Sequence, residues 1–172
     1  MKFISLFGGV GGFDLPLIKA GHECVAYYEI DKYCVQVYNK NFGTNYETTD
    51  ITKLDAKDIP DHDLLCGGVP CQSWSIAGKR KGFEDPRGSM WYEVFRIAKE
   101  KKPKYLLLEN VKGLLSHNGG KSFEQICEAI CEIGYAIDFT ILNSKDFGVA
   151  QNRERIFILA RKLDTLTKEE TI

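Results

Sequence analysis

Cys71 follows a proline directly after an apolar, strand-like run, in the stretch Gly67-Gly68-Val69-Pro70-Cys71-Gln72-Ser73-Trp74-Ser75. A loop at a strand end exposes its side chains, and a cysteine between a proline and a polar run suits a thiolate nucleophile better than a small buried hydrophobe. Other chemistry-bearing groups also stand at the ends of apolar runs. Glu29 closes the run Cys24 to Tyr28, and Glu109 closes Tyr105 to Leu108 within Glu109-Asn110-Val111. Asp50 follows Thr48-Thr49 and either reaches the same crevice as Glu29 or is simply a turn residue. Arg153 and Arg155 stand two apart, and face one side if the strand beginning near Arg155 already includes both. Carboxylates at strand ends can bind hydroxyls or hold a proton, and arginines can hold a carbonyl or phosphate oxygen.

The elements that must position these groups alternate between strand and helix. Lys2 to Phe7 has the length of a buried strand; Gly8-Gly9-Val10-Gly11-Gly12 follows, and Phe13 to Ala20 reads as a helix stopped at Gly21. Strand, glycine turn and helix open a dinucleotide-type βαβ unit, and an acid about twenty residues further on, here Glu29, is where such folds place a carboxylate on ribose hydroxyls. Asp31 caps a helix from Lys32 to Asn41. Thr48 to Ile51 is predicted to end a third short strand, and His62 to Cys66 forms a fourth that delivers the Cys71 loop. The polar, basic segment Ser73 to Gly88 has no periodicity and reads as a functional loop. Met90 to Lys101 reads as a helix with Trp91, Val94, Phe95 and Ala98 on one face, and Tyr105 to Leu108 is a fifth strand. Ser122 with Gln125 resembles a capping box for a helix running to Gly134; Ala136 to Asn143 and Arg155 to Ala160 are the last strands. The fold class is α/β, a mostly parallel sheet with helices on both faces. Residues 1–160 form the catalytic domain and 161–172 a polar tail that frays.

At 172 residues the chain makes one domain able to bury a core without staples. It contains no apolar run of spanning length and no signal peptide, so no membrane partner and a cytoplasmic location are expected. The six cysteines then read as reduced thiols, with Cys127 and Cys131 on the buried stripe of a helix. A net charge of −1 lacks the strong basic excess of many nucleic-acid binders, although Lys79-Arg80-Lys81 with Arg87, and Arg153 with Arg155, form local clusters. Lys99 to Lys104 reads as the solvated basic end of a helix stopped by Pro103.

With these pieces in order, the chain from about Phe3 to Leu159 resembles the DNA (cytosine-5) methyltransferases. Phe7-Gly8-Gly9-Val10-Gly11-Gly12 is similar to the family's cofactor loop, Glu29-Ile30 to its ribose-binding acid, and Asp50-Ile51 to its adenine-binding segment. Pro70-Cys71-Gln72 resembles the nucleophile motif, Glu109-Asn110-Val111 the base-recognition motif, and Gln151-x-Arg153-x-Arg155 the arginine motif; Met90 matches a position lining the cofactor pocket. The resemblance implies a Rossmann-like S-adenosylmethionine-dependent fold, with S-adenosylhomocysteine as the product. It implies a double-stranded DNA partner whose target cytosine is flipped out, with the Ser73 to Gly88 loop as lid.

The implied mechanism agrees with the residue chemistry. A thiolate from Cys71 adds at carbon 6 and makes carbon 5 electron-rich. Glu109 meets ring nitrogen 3, for which it must be held partly protonated in a desolvated pocket; Arg155 holds the carbonyl oxygen at carbon 2, and Arg153 supports the catalytic loop or a phosphate. Ser5 stands where the family often has an acid, and Trp74 where it often has phenylalanine. After the arginine motif the family normally continues with a target-recognition domain and two further motifs, so the fold is expected to be incomplete at its C-terminus and to need a complementary chain carrying that domain. Methylation of cytosine in transfer RNA, and a cofactor-binding remnant or interaction module without turnover, are the competing readings.

Overall fold

The computed structural model describes residues 1–70 and 90–165. Cys71, the expected lid from Ser73 to Gly88, and the last seven residues lie outside the described residues.

Among the described residues, six strands and four α-helices follow one another as β1 (Lys2–Leu6), α1 (Asp14–Lys19), β2 (Glu23–Tyr28), α2 (Lys32–Phe42), β3 (Leu64–Gly68), α3 (Met90–Lys101), β4 (Tyr105–Val111), α4 (Lys121–Glu132), β5 (Tyr135–Asn143) and β6 (Glu154–Lys162). They form one sheet of order β2-β1-β3-β4-β6-β5, parallel from β2 through β4, with β6 antiparallel to both its neighbours. The chain leaves β1 towards β2 and later returns to its other side with β3. The carboxyl ends of β1 and β3 therefore open a crevice where the strand order reverses, the place such sheets offer to ligands.

Both faces are covered by helices, as the alternating pattern requires. On one face Ile4 and Leu6 of β1, Leu65 of β3, Leu106 and Leu108 of β4 and Ile156 and Ile158 of β6 meet Val94, Ile97 and Ala98 of α3 and Ile126 and Ile130 of α4. On the other, Phe3 and Cys66 pack with Phe13 and Leu17 at α1, while Tyr27, Val35 and Tyr38 join β2 to α2. A bulge sorts β2 between these faces: Cys24 pairs with Phe3 and Ala26 with Ile4, so Val25 is an extra residue and Tyr27 shares a face with Cys24.

Several local expectations need correction. Thr48 to Ile51 is not a strand, because the Asp50 carboxylate accepts from the Thr52 N–H at 3.1 Å and its hydroxyl at 2.7 Å. That side-chain bond turns the chain into a short 3-10 helix at Ile51–Lys53. No capping box opens α4. The Ser122 hydroxyl instead lies 2.6 Å from His117 Nδ1, and α4 begins after Gly120 in the left-handed conformation. Cys131 is exposed while Ile126 and Ile130 carry the buried stripe, so only Cys127 is partly covered there. Lys101 is not a solvated helix end, since its ammonium reaches the Lys57 carbonyl at 3.0 Å and Asp61 at 3.1 Å. Arg161 and Lys162 belong to β6, paired with Tyr105 and Tyr135, and a 3-10 turn at Leu163–Thr165 follows.

Candidate functional site

The carboxyl end of β1 passes into the glycine turn through Phe7, whose φ of +53° is uncommon for a bulky side chain and marks a backbone held against its preference. The turn is closed by Gly8 N–H donating to the Tyr28 carbonyl at 3.3 Å and Gly11 N–H donating to the Gly8 carbonyl at 2.9 Å. Two glycines are required by their surroundings. A Cβ on Gly8 would lie 2.5 Å from the Tyr27 ring, and one on Gly11, which has φ of +94°, would run into the Phe42 ring. Nothing crowds Gly9 or Gly12, so their bare side faces open space that a ligand can enter. Gly11→Ala is expected to lower stability by about 2 kcal/mol and weaken nucleoside binding at least tenfold. Thermal unfolding and calorimetric titration with S-adenosylhomocysteine check this, and wild-type values for both would contradict it.

Glu29 stands at the end of β2, facing that turn. Its Oε2 accepts from Gly9 N–H at 2.9 Å, and its Oε1 from Ile30 N–H at 2.8 Å and Asp31 N–H at 2.9 Å. Asp31 caps α2 through Tyr33 and Cys34, and those N–H bonds hold its carboxyl below the ordinary carboxylate range. Ile30, which follows Glu29 at the end of β2, is 68% exposed. Asp50 caps the 3-10 turn, with Thr52 lowering its carboxyl. The Ile51 side chain is buried in the main core, and Arg96 on α3 donates to its carbonyl at 3.1 Å while bracing against Glu93. Met90, the first residue of α3, is partly buried against the same core.

The ends of β3, β4 and β6 carry the second set. Val69 N–H donates to the Glu109 carbonyl at 3.1 Å, and Asn110 Nδ2 to the Val69 carbonyl at 2.9 Å. Asn110 is 2% exposed, so the approach to Pro70 and Cys71 is tied to β4 by a buried amide. Pro70 itself is exposed. Arg155 pairs with Val111, two residues along from Glu109 on β4, so both side chains leave the same face. Their charges meet, with Arg155 Nε 2.7 Å from Glu109 Oε1, each side chain about one-fifth exposed. The Glu109 carboxyl therefore sits in a guanidinium contact. Arg153 is not part of this pair. Strand β6 starts at Glu154, Arg153 is exposed, and its backbone N–H is held by Asn143 Oδ1 at 3.1 Å.

Residues not singled out from the sequence complete the site. The Asp14 carboxylate, 0% exposed on the first turn of α1, accepts from Ser5 Oγ at 2.8 Å, Tyr38 Oη at 2.8 Å and Cys24 Sγ at 3.5 Å. An acid thus stands beside Ser5, delivered from the helix. Burial pushes the Asp14 carboxyl up against these donors, and burial next to Asp14 pushes the Cys24 thiol to about 11. Among the described residues no helix is long and apolar enough to cross a membrane.

Comparison with known proteins places this arrangement. The profile described as C-5 cytosine-specific DNA methylase matches residues 1–171. The type II methyltransferase M.HhaI of Haemophilus parahaemolyticus is 47% identical over 164 residues, covering 95% of this chain and 50% of that protein. The orphan methyltransferase M.SPRI of Bacillus phage SPR is 45% identical over 176 residues, covering 99% and 40%. The chain therefore spans about half the length of the curated relatives it matches, or less. The crystal structure of the S. pombe Dnmt2 methyltransferase superposes with a TM-score of 0.76 at 27% identity, covering 95% of this chain and 51% of that one. With a Rossmann-like sheet and a glycine turn facing an acid, the chain belongs to the C-5 cytosine-specific DNA methylase family.

Proposed function

We propose that this chain is the catalytic part of an enzyme that methylates carbon 5 of cytosine in double-stranded DNA, acting with a target-recognition part on a complementary segment. The observation that carries the reading is the Glu109–Arg155 pair at 2.7 Å, formed between β4, the neighbour of β3, and β6 on its far side, with β3 ending at Gly68 shortly before the Pro70-Cys71 motif in sequence. The catalytic domain includes the whole of β6, through Lys162.

The residues at the carboxyl end of β1 fit S-adenosylmethionine. Gly9 and Gly12 leave backbone bare towards open space and Glu29 offers a carboxylate across the turn; on this reading Phe7, Ile30, Asp50, Ile51, Pro70 and Met90 line the rest of the cofactor site. Bound there, the cofactor supplies a methyl group on a sulfonium. Gly8 and Gly11 keep the turn in shape, and the spare acceptor capacity of Glu29 takes a ribose hydroxyl.

Cys71 adds as a thiolate to carbon 6 of a flipped-out cytosine, forming the S–C6 bond and moving an electron pair of the ring towards carbon 5. The ring enters between Glu109 and Arg155: the carboxyl turns to ring nitrogen 3, and the guanidinium to the oxygen at carbon 2. Arg153, exposed beside the pair, takes a phosphate or the catalytic loop. Once carbon 5 has bonded the methyl group that the sulfonium would give up, loss of the carbon 5 proton with breaking of the S–C6 bond restores the ring as 5-methylcytosine and frees the Cys71 thiolate.

The test is transfer of labelled methyl from S-adenosylmethionine by the chain joined to the complementary half of a relative, with duplex DNA and transfer RNA as separate substrates. Label in 5-methylcytosine of the DNA is the expected outcome. Label confined to the RNA would shift the substrate, and label in neither would leave a module without turnover.

A further inference from the structure

Gly9 is gripped from both sides. Its N–H donates to Glu29 Oε2 at 2.9 Å, and its carbonyl accepts from Tyr27 Oη at 2.5 Å. Tyr27 is 2% exposed, so it does not line the crevice; it acts from beneath the turn. Its ring fills the space above Gly8 and stacks on Tyr38 at 3.8 Å between centroids and 26° between planes. Tyr38 in turn is fixed by its hydroxyl on Asp14 at 2.8 Å and by Phe42 stacked at 4.3 Å.

The route by which Tyr27 reaches this place is unusual. Strict alternation along β2 would turn it to the same side as Val25, towards the main core. The bulge at Val25, on a parallel strand pair where bulges are rare, turns it instead to the side of α2 and Ser5. Burial, with Glu29 nearby, raises the phenol well above its ordinary range, so it stays a hydrogen-bond donor at any working pH.

Glu29 has about four acceptor positions, and the N–H groups of Gly9, Ile30 and Asp31 take three. The position left is on Oε2, the oxygen that Gly9 orients. A rotation of the peptides around Gly9, where φ is +54° and nothing crowds the residue, would redirect that oxygen.

Resting on the cofactor reading above, we propose that Tyr27 is a positioning residue of the cofactor site: by holding the Gly9 carbonyl it fixes the Gly9 N–H on Glu29 and so aims the free acceptor of Glu29 at the ribose of the nucleoside. The decisive variant is Tyr27→Phe, which keeps the stack on Tyr38 and the volume above Gly8 and removes only the donor.

Two measurements on the full chain test it. Amide hydrogen exchange without ligand is expected to show the Gly9 N–H exchanging at least about threefold faster in Tyr27→Phe, with β4 and β6 unchanged. Titration with S-adenosylhomocysteine is expected to show binding about three- to tenfold weaker in Tyr27→Phe, but less than twofold weaker when the substitution is added to Glu29→Gln. Unchanged Gly9 exchange overturns the proposal, as do losses from the two substitutions that simply add, since a merely structural role predicts additivity. Failure of the wild-type chain to bind S-adenosylhomocysteine would overturn the ribose role as well, and would do so by a result separate from the exchange of Gly9.

Discussion

Replacing Cys71 with serine is expected to abolish the covalent adduct between the chain, supplied with its complementary half, and duplex DNA carrying 5-fluorocytosine, and to lower methyl transfer by at least about 10³-fold. A thiol with an ordinary pKa near ~8.5 has a usable thiolate fraction at neutral pH, whereas a serine hydroxyl has none. Fluorine at carbon 5 removes the proton whose loss lets the S–C6 bond break, so a wild-type adduct persists and intact-mass spectrometry reads it. The neighbours of Pro70 explain why the effect should be specific to this cysteine. Asn110 and the Glu109 carbonyl tie Val69 to β4. Burial raises the thiols of Cys24, to about 11, and of Cys66 and Cys127, so these are poor nucleophiles. An adduct surviving in the serine variant would remove Cys71 from the mechanism.

The second large effect is on stability. Asp14→Ala is expected to cost about 3 kcal/mol and to lower the unfolding midpoint by roughly 10 °C, because it leaves the Ser5 and Tyr38 hydroxyls buried without their acceptor and opens a void between α1 and α2. Asp14→Asn should cost less and reports the charge. Burial raises the folded-state pKa of Asp14 above its ordinary value near ~3.8, so between the two values the folded chain holds more protons than the unfolded one. The Asp14 contribution is therefore fully present below the ordinary carboxylate range and declines as pH rises through the raised value. Denaturant titrations at several pH values should show the advantage of wild type over Asp14→Asn shrinking from about pH 4 upwards. A constant difference would mean that Asp14 does not titrate between the two states.

Much of this architecture was legible because hydrophobic runs and their punctuation coincide. The strand–glycine–helix opening, the Asp31 cap, helix Met90–Lys101 and the acids at the ends of β2 and β4 stand where their spacing puts them. What escaped were features decided by a single side-chain contact or by register. The Asp50 carboxylate takes the Thr52 N–H and bends a strand-like segment into a turn. His117 takes the hydroxyl that a capping box would use. The bulge in β2 reverses the facing of Tyr27, and no alternation pattern announces it. Asp14 looks in sequence like an ordinary acid in a helix's first turn, and only the approach of β1, β2 and α2 reveals it as buried. The pairing of Glu109 with Arg155 depends on β6 running antiparallel to β4, which periodicity alone does not specify.

The position of β6 also constrains how the chain can fold. It is the last strand among the described residues yet lies inside the sheet, pairing Tyr105–Val111 on one side and Tyr135–Asn143 on the other. Strand β5, though made earlier, reaches the sheet only through β6. During synthesis the parallel half, β2 through β4, can assemble on its own, while β5 must wait as an unsatisfied edge until residues 154–162 have emerged and inserted. That same late insertion carries Arg155 to Glu109, so this ion pair forms only with closure of the sheet, and a partly folded chain holds one half of it without the other.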